Sequence, residues 1–251
     1  MPHQGPGDAH GTHDLRARVL ASMAAASPQG DGDPDDPVTV LNRVCRALLA
    51  DLPVCGAAVN LMSDAMGSQA VIASSDPWSA RVDELQFVLG EGPCHDSFKT
   101  RRPVLASDLD RETRWPAYTT SALEAGVRAV FAFPLQVGAV GLGVLDVYAD
   151  VPGPMPDRDL LTALGFAEMA TETLLDSAAP GRAGGLDPGL TSALGTRARI
   201  YQAQGALMVD LGVPLVDALV RMRAYAFAHH RDLDEVAGAV LDGTLDLSDD
   251  V

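Results

Sequence analysis

Cys94 and His95 are the most reactive-looking pair in the chain. They follow Gly90-Glu91-Gly92-Pro93, where two glycines and a proline within four residues force a tight turn. A thiol in such a turn, near a positive helix terminus, would be acidified, and its thiolate would suit a redox switch, a covalent attachment or a nucleophile. No partner motif accompanies it for the last two roles. Cys94 and His95 are therefore ligand or redox candidates, weighed against the plainer reading of a structural loop. Arginine forms a second concentration. Residues 197–231 carry Arg197, Arg199, Arg221, Arg223 and Arg231 against Asp210 and Asp217, a local balance of +3. Residues 232–251 then hold seven acids and no base. Guanidinium groups so placed suit charge-assisted hydrogen bonds to phosphate. The plainer reading is a set of ordinary solvated helix positions.

Other chemistry finds little support. The three cysteines, Cys45, Cys55 and Cys94, form no Cys-x-x-Cys pair, so a zinc site or a disulfide scaffold is not expected and a reducing cytoplasm fits best. Glu91, Asp108 and Asp146 show no paired-carboxylate or metal-ligand spacing, and there is no Walker loop, kinase set or Gly-x-Ser-x-Gly. His3, His10 and His13 fall in a Gly- and Pro-rich tail, where chain entropy opposes a metal site. No catalytic residue, metal or cofactor is assigned. The 251 residues are 47% hydrophobic and 21% charged, enough for a packed core in one or two domains. Acids outnumber bases 34 to 18, for a net charge of -16, which argues against electrostatic coating of duplex nucleic acid but leaves room for a small local site. No leader pattern opens the chain and no apolar run approaches the roughly 20 residues of a membrane span. The expectation is a cytoplasmic protein with no membrane partner.

The elements that would position these residues follow from periodicity and punctuation. Residues 1–37 read as a flexible segment, disordered over 1–13, with a short helix at 14–26 that Asp14 could cap. A helix at 38–50 precedes strands at 54–62 and 70–73. Asp76 and Pro77 open a helix bearing Val82, Leu85 and Leu89. A short strand at 104–106, a helix at 115–125, the two clearest strands at 129–136 and 141–148, and a helix to about 177 complete the first part. The breaker-rich stretch 178–189 is the best boundary. Beyond it the pattern is wholly helical. A helix at 190–211 carries Ile200, Ala203, Leu207 and Leu211 on one stripe, and Gly212 ends it. A second opens at Pro214, and a third at Asp232 with Glu235 in a capping-box relation.

Two stretches resemble known modules. Residues 38–177 resemble a GAF domain of the actinobacterial type. The resemblance is carried by Val130-Phe131-Ala132-Phe133-Pro134-Leu135, by Gly141-Leu142-Gly143-Val144-Leu145-Asp146-Val147-Tyr148, by the loop from Gly90 to Asp96 and by the stretch from Arg101 to Asp108. It implies an antiparallel sheet of about six strands with helices on one side and a ligand pocket on the other. Residues 190–247 resemble an ANTAR domain through the runs Ile200 to Met208, Leu211 to Val213, Asp217 to Leu219, Arg221 to Ala226 and Leu233 to Ala237. That resemblance implies a three-helix RNA-binding module of transcription antiterminators, which bind paired stem-loops in nascent transcripts. The expected fold is α+β: a GAF-like antiparallel sheet with flanking helices, followed by an all-α three-helix domain.

With the resemblance, Arg197, Arg199, Gln204, Arg221, Arg223 and Phe227 become the expected RNA contacts. The arginines would meet phosphates and stack on splayed bases, and Gln204 would reach a base edge. Phe227, sharing its face with Val216, Val220 and Arg223, would stack or make a dimer contact, whereas Tyr225 reads as core. Arg221 and Arg223 are expected to reach solvent. The implied partners are RNA stem-loops, an unknown small molecule for the GAF domain, and a second copy in a homodimer. The competing readings are a cysteine-dependent methionine sulfoxide reductase of the GAF type, and a protein-interaction regulator without RNA binding.

Overall fold

A computed structural model describes residues 8–26, 33–63, 68–178 and 197–247. Helix α1 (Asp8–Ala25) and helix α2 (Pro37–Asp51) precede a hairpin of β1 (Gly56–Ser63) and β2 (Ser68–Ser74). Helices α3 (Pro77–Leu89) and α4 (Pro93–Thr100), strand β3 (Val104–Ala106) and helix α5 (Pro116–Glu124) follow. The hairpin of β4 (Ala129–Val137) and β5 (Val140–Ala149) leads into α6 (Asp157–Ala178). Three further helices are α7 (Ala198–Leu211), α8 (Leu215–Ala228) and α9 (Leu233–Leu241).

The sheet has the order β2-β1-β5-β4-β3 and all its pairings are antiparallel. It has five strands among the described residues, where the resemblance implied about six. Both of its faces are buried, which explains why β4 and β5 read as nearly continuous apolar runs. Side chains alternate across the pleat. Val59, Phe131, Phe133, Leu145 and Val147 pack under α1, α2 and α6. Ala58, Val130, Ala132, Val144 and Tyr148 pack under α3, α4 and α5. In the register of β1 on β5, Ala58 pairs with Asp146 and Asn60 with Val144. This places the polar Asn60 and Asp146 on the second face, in the interior.

The N-terminal expectation is corrected. The helix begins at Asp8, so Asp14 lies within it rather than capping it. Val19 and Met23 are buried in the core with α2 and α6, which makes α1 a part of that core instead of a flexible lead. His3 lies outside the described residues. The proposed boundary at 178–189 lies, beyond Ala178, outside them too, as does the start assigned to the first C-terminal helix.

Local signals set α3 firmly. Asp76 accepts hydrogen bonds from the Trp78 and Ser79 amides at 2.8 and 3.0 Å, Pro77 fills the first turn, and Gly90 closes the helix with a left-handed φ of 72°. The turn expected at 90–95 is shorter, confined to residues 90–92, and α4 opens at Pro93, so Cys94 and His95 are in its first turn. Glu91 reaches across to accept from the Ala117 and Tyr118 amides at 2.7 and 3.0 Å, satisfying the free donors at the start of α5. The three C-terminal helices form their own apolar cluster from Ile200, Ala203, Leu207, Leu219, Met222, Val236 and Ala237. That cluster also takes in Phe87 of α3, so the two parts of the chain are packed together.

Candidate functional site

The second face of the sheet encloses a fully buried polar cluster. Asp146 accepts from Asn60 Nδ2 at 3.1 Å and from Gln86 Nε2 at 3.3 Å. Tyr148 donates its hydroxyl to Asp83 at 2.6 Å. Asp83 and Asp146 share this enclosed space, and burial, joined by their mutual repulsion, holds Asp146 well above the usual carboxylate range. Burial also raises Asp83. Two carboxyls so buried oppose being ionised together. Gln69 closes the cluster from β2, donating through Nε2 to Asn60 Oδ1 at 3.2 Å and, at 3.7 Å, to Cys94 Sγ. The Tyr118 hydroxyl is buried without a partner among the described residues, and burial, joined by the charges of Asp146 and Asp83, raises it well above the ordinary phenol range. The sequence held one sign of this site, a carboxylate inside the apolar run from Val144 to Tyr148. The pairing with Asp83 had none, because only the fold brings α3 over β5.

This environment overturns the acidified thiol. Cys94 is buried at the start of α4, against Met62 Sδ at 3.5 Å, and its thiol is pushed well above the ordinary range by burial and then by Asp146 and Asp83. A low-dielectric site with two carboxyls opposes thiolate formation, whatever the helix terminus contributes. His95 turns Nε2 onto the Gln86 carbonyl at 2.9 Å, and burial lowers its pKa. Cys45 lies on the opposite face of the sheet, and Cys55 sits at the start of β1 with its thiol raised to about 11, chiefly by burial. All three cysteines are free, and Cys45 and Cys94 belong to separate clusters.

The expected RNA contacts do not form one patch. Arg197 is only 5% exposed. Its guanidinium lies 3.7 Å over the Phe87 ring, is ion-paired with Glu84 and donates to the Gln69 carbonyl. Arg223 lies at 5.0 Å from the same ring. Burial, with the repulsion of Arg197 adding to it, depresses Arg223 to about 10, so it remains a cation at neutral pH. Its Nε is buried with no partner among the described residues. Arg223 is thus half-buried and not fully open to solvent as expected: helical phase turns it off the three-helix core but onto α3, beside the cleft it lines. Gln204 is also internal, donating to the Leu215 carbonyl at 2.8 Å and so tying α7 to the start of α8. Arg199 is exposed and paired with Asp234 at 3.0 Å. Arg221 is half-buried beside Tyr225 and His229, whose rings stack at 4.1 Å. Phe227 is 68% exposed, with Val216 and Val220 also exposed on α8. A cleft of about 480 Å³ runs between α8 and the first domain, lined by Val88, Leu89, Val220, Arg223 and Phe227 among others. Sequence reasoning missed Tyr201 as a contact between domains. Its hydroxyl donates to the Gln69 carbonyl at 2.7 Å and accepts from the Gln69 amide at 2.9 Å.

Residues 34–171 match the GAF domain family and residues 189–241 match the ANTAR domain. The GAF domain of a phosphoenolpyruvate-protein phosphotransferase from Coxiella burnetii is similar at 15% identity with a TM-score of 0.51, covering 68% of this chain and 96% of that one. The GAF domain of the Acinetobacter phosphoenolpyruvate-protein phosphotransferase gives 12% identity and a TM-score of 0.49, with 66% and 94% covered. A free methionine-R-sulfoxide reductase from Neisseria meningitidis gives 15% and 0.46, with 69% and 94% covered. At 15% identity the likeness to the Coxiella domain speaks to the fold of the first domain alone. A search of curated proteins gives no match. The ANTAR domain is an RNA-binding antitermination module and the GAF domain a small-molecule sensing module. No single helix among the described residues is long and apolar enough to cross a membrane. With more than half of its length matched to the first family and its last three helices to the second, the chain belongs to the GAF domain family and carries an ANTAR domain after the sensor.

Proposed function

We propose that this protein is a cytoplasmic transcription antitermination regulator, in which the ANTAR domain binds paired stem-loops in nascent RNA and the GAF domain supplies a signal from a small molecule. The observation that carries this reading is the ANTAR match over α7, α8 and α9, whose arginines stand out from a chain of net charge -16. Arg199, Arg221 and Phe227 are the contacts within reach of RNA in this conformation, while Arg197 and Arg223 are held by the GAF domain. Recognition would rest on loop shape and stacking, with a shallow dependence on salt because few phosphates are neutralised. A homodimer would present two ANTAR domains to two stem-loops, and the exposed Leu161, Leu164 and Leu175 of α6 support such an interface. Burial raises all three thiols, including the half-buried Cys55, which weighs against the reductase reading.

The test is crosslinking of RNA to the protein in cells, followed by sequencing. Paired stem-loops upstream of terminators are the expected yield, and recovery of no RNA above an uncrosslinked control would sink the reading. In titrations with a recovered RNA, Arg221→Ala and Phe227→Ala should each weaken binding by about 1–3 kcal/mol, as for a charged hydrogen bond or a stacked base. Unchanged affinity in both would remove this face of α8 from the site.

A further inference from the structure

Three observations converge on one face of the GAF domain. The outer side of α3 supplies Glu84 and Phe87, and these hold Arg197, at the N-cap of α7, and Arg223 of α8. Gly90, at the end of α3, lies so close to Arg223 that a Cβ there would stand 2.9 Å from its guanidinium. Beside them, the main chain of Gln69 on β2 makes two hydrogen bonds with Tyr201 and accepts one from Arg197. The inner sides of the same two elements line the buried polar cluster, through Asp83 and Gln86 on α3 and the Gln69 side chain on β2. Docking is not wholly favourable to the ANTAR domain. Two guanidinium groups share one aromatic ring, the single carboxylate of Glu84 is taken by Arg197, and the Arg223 Nε is buried with no partner among the described residues. An unpaired buried donor destabilises the state that contains it, so release needs only a modest push.

Resting on the RNA-binding reading above, we propose that this contact is an autoinhibitory clamp. The face formed by Glu84, Phe87 and the Gln69 main chain withholds Arg197 and Arg223 from RNA, and Gln69 links the clamp to the state of the buried cluster. Phosphate and the Glu84 carboxylate offer Arg197 the same chemistry, so clamp and RNA compete. A ligand or rearrangement that moves the Gln69 side chain from Asn60 and Cys94 displaces the main-chain atoms that Tyr201 and Arg197 grip. The two equilibria are then coupled reciprocally, and stem-loop RNA in turn loosens β2.

The experiment uses the full chain and two readouts: amide hydrogen exchange in β2 and α7, and titration with a stem-loop RNA recovered by crosslinking, at several salt concentrations. Glu84→Arg sets three cations against one another. Tyr201→Phe removes two hydrogen bonds with almost no change of volume, and it keeps the test intact if the first variant folds poorly. Both should raise exchange in β2 and α7 and tighten RNA binding, about tenfold for E84R. The slope of log affinity against log salt should steepen by roughly one to two, since each added phosphate contact contributes about 0.7–0.9. Gln69→Ala should reproduce part of the effect. Exchange unchanged in both E84R and Y201F would overturn the clamp. Raised exchange with the affinity of a binding wild type unchanged would overturn its inhibitory role. Raised exchange with no RNA bound by any form would bring down the RNA reading, and the inhibition with it, while leaving the docked contact standing. Wild-type exchange in Q69A would remove Gln69 from the route.

Discussion

Asp146 is a carboxyl that burial holds well above its ordinary range. A carboxyl with a raised pKa binds more protons in the folded than in the unfolded chain, from the ordinary value near 3.9 up to its own shifted value. Its contribution to stability is therefore present at low pH and is lost as pH rises across that window. Asp146→Asn keeps an oxygen to accept from Asn60 and Gln86 and removes the buried charge. The variant should be as stable as the parent or more so at pH 8, and the dependence of its melting temperature on pH between 5 and 8 should be flatter. Each unit of pKa shift corresponds to about 1.4 kcal/mol. A variant that melts lower at pH 8 with an unchanged slope would show that the carboxylate is ionised and well solvated. Cys94 allows a second test at this scale. Its buried, protonated thiol should react with a thiol reagent at pH 7.5 no faster than unfolding exposes it. Rapid labelling of Cys94 in the native protein would reinstate the redox switch.

Among the elements, the α7–α8 junction depends on one side chain. Gln204→Leu removes the hydrogen bond to the Leu215 carbonyl, leaves that oxygen short of its partner, and should cost about 1–3 kcal/mol of stability. RNA affinity measured well below the melting temperature should hold, because Gln204 faces inward. A selective loss of affinity without destabilisation would return Gln204 to the base-contact role that the sequence implied for it. Helix α6 carries the complementary case. Leu161, Leu164 and Leu175 remain exposed after one copy has folded, so Leu161→Glu with Leu164→Glu should reduce the sedimentation mass to that of a monomer. An unchanged mass would place any dimer contact elsewhere.

Over the whole molecule, the connection between sensor and ANTAR domain has two parts, a covalent stretch and the docked face of α3. Cutting within residues 178–189 should leave two fragments that each resist further digestion, because breaker-rich segments hold few contacts. The fragments should co-elute through the contacts of Phe87, Glu84 and Gln69. Continuous digestion of both fragments would show that they fold as one unit. The sequence determined a good deal of this by itself. The Asp76-Pro77 start and Gly90 end of α3, the hairpin of β4 and β5, and the stripes of α7, α8 and α9 are written in local terms: caps, turns and the periods of 2 and 3.6. Which side of a helix faces its own domain follows from those periods, and Arg223 lies off the side of α8 that buries Leu219 and Met222. Whether the opposite side meets water or another domain does not follow from them. That depends on contacts between residues distant in sequence, Glu84 and Phe87 with Arg197 and Arg223, and no local propensity encodes them. The same reason hid the Asp83–Asp146 pair. A single carboxylate in a strand looks like a solvated position until the packing of α3 over β5 removes the water around it and brings the second carboxyl into contact.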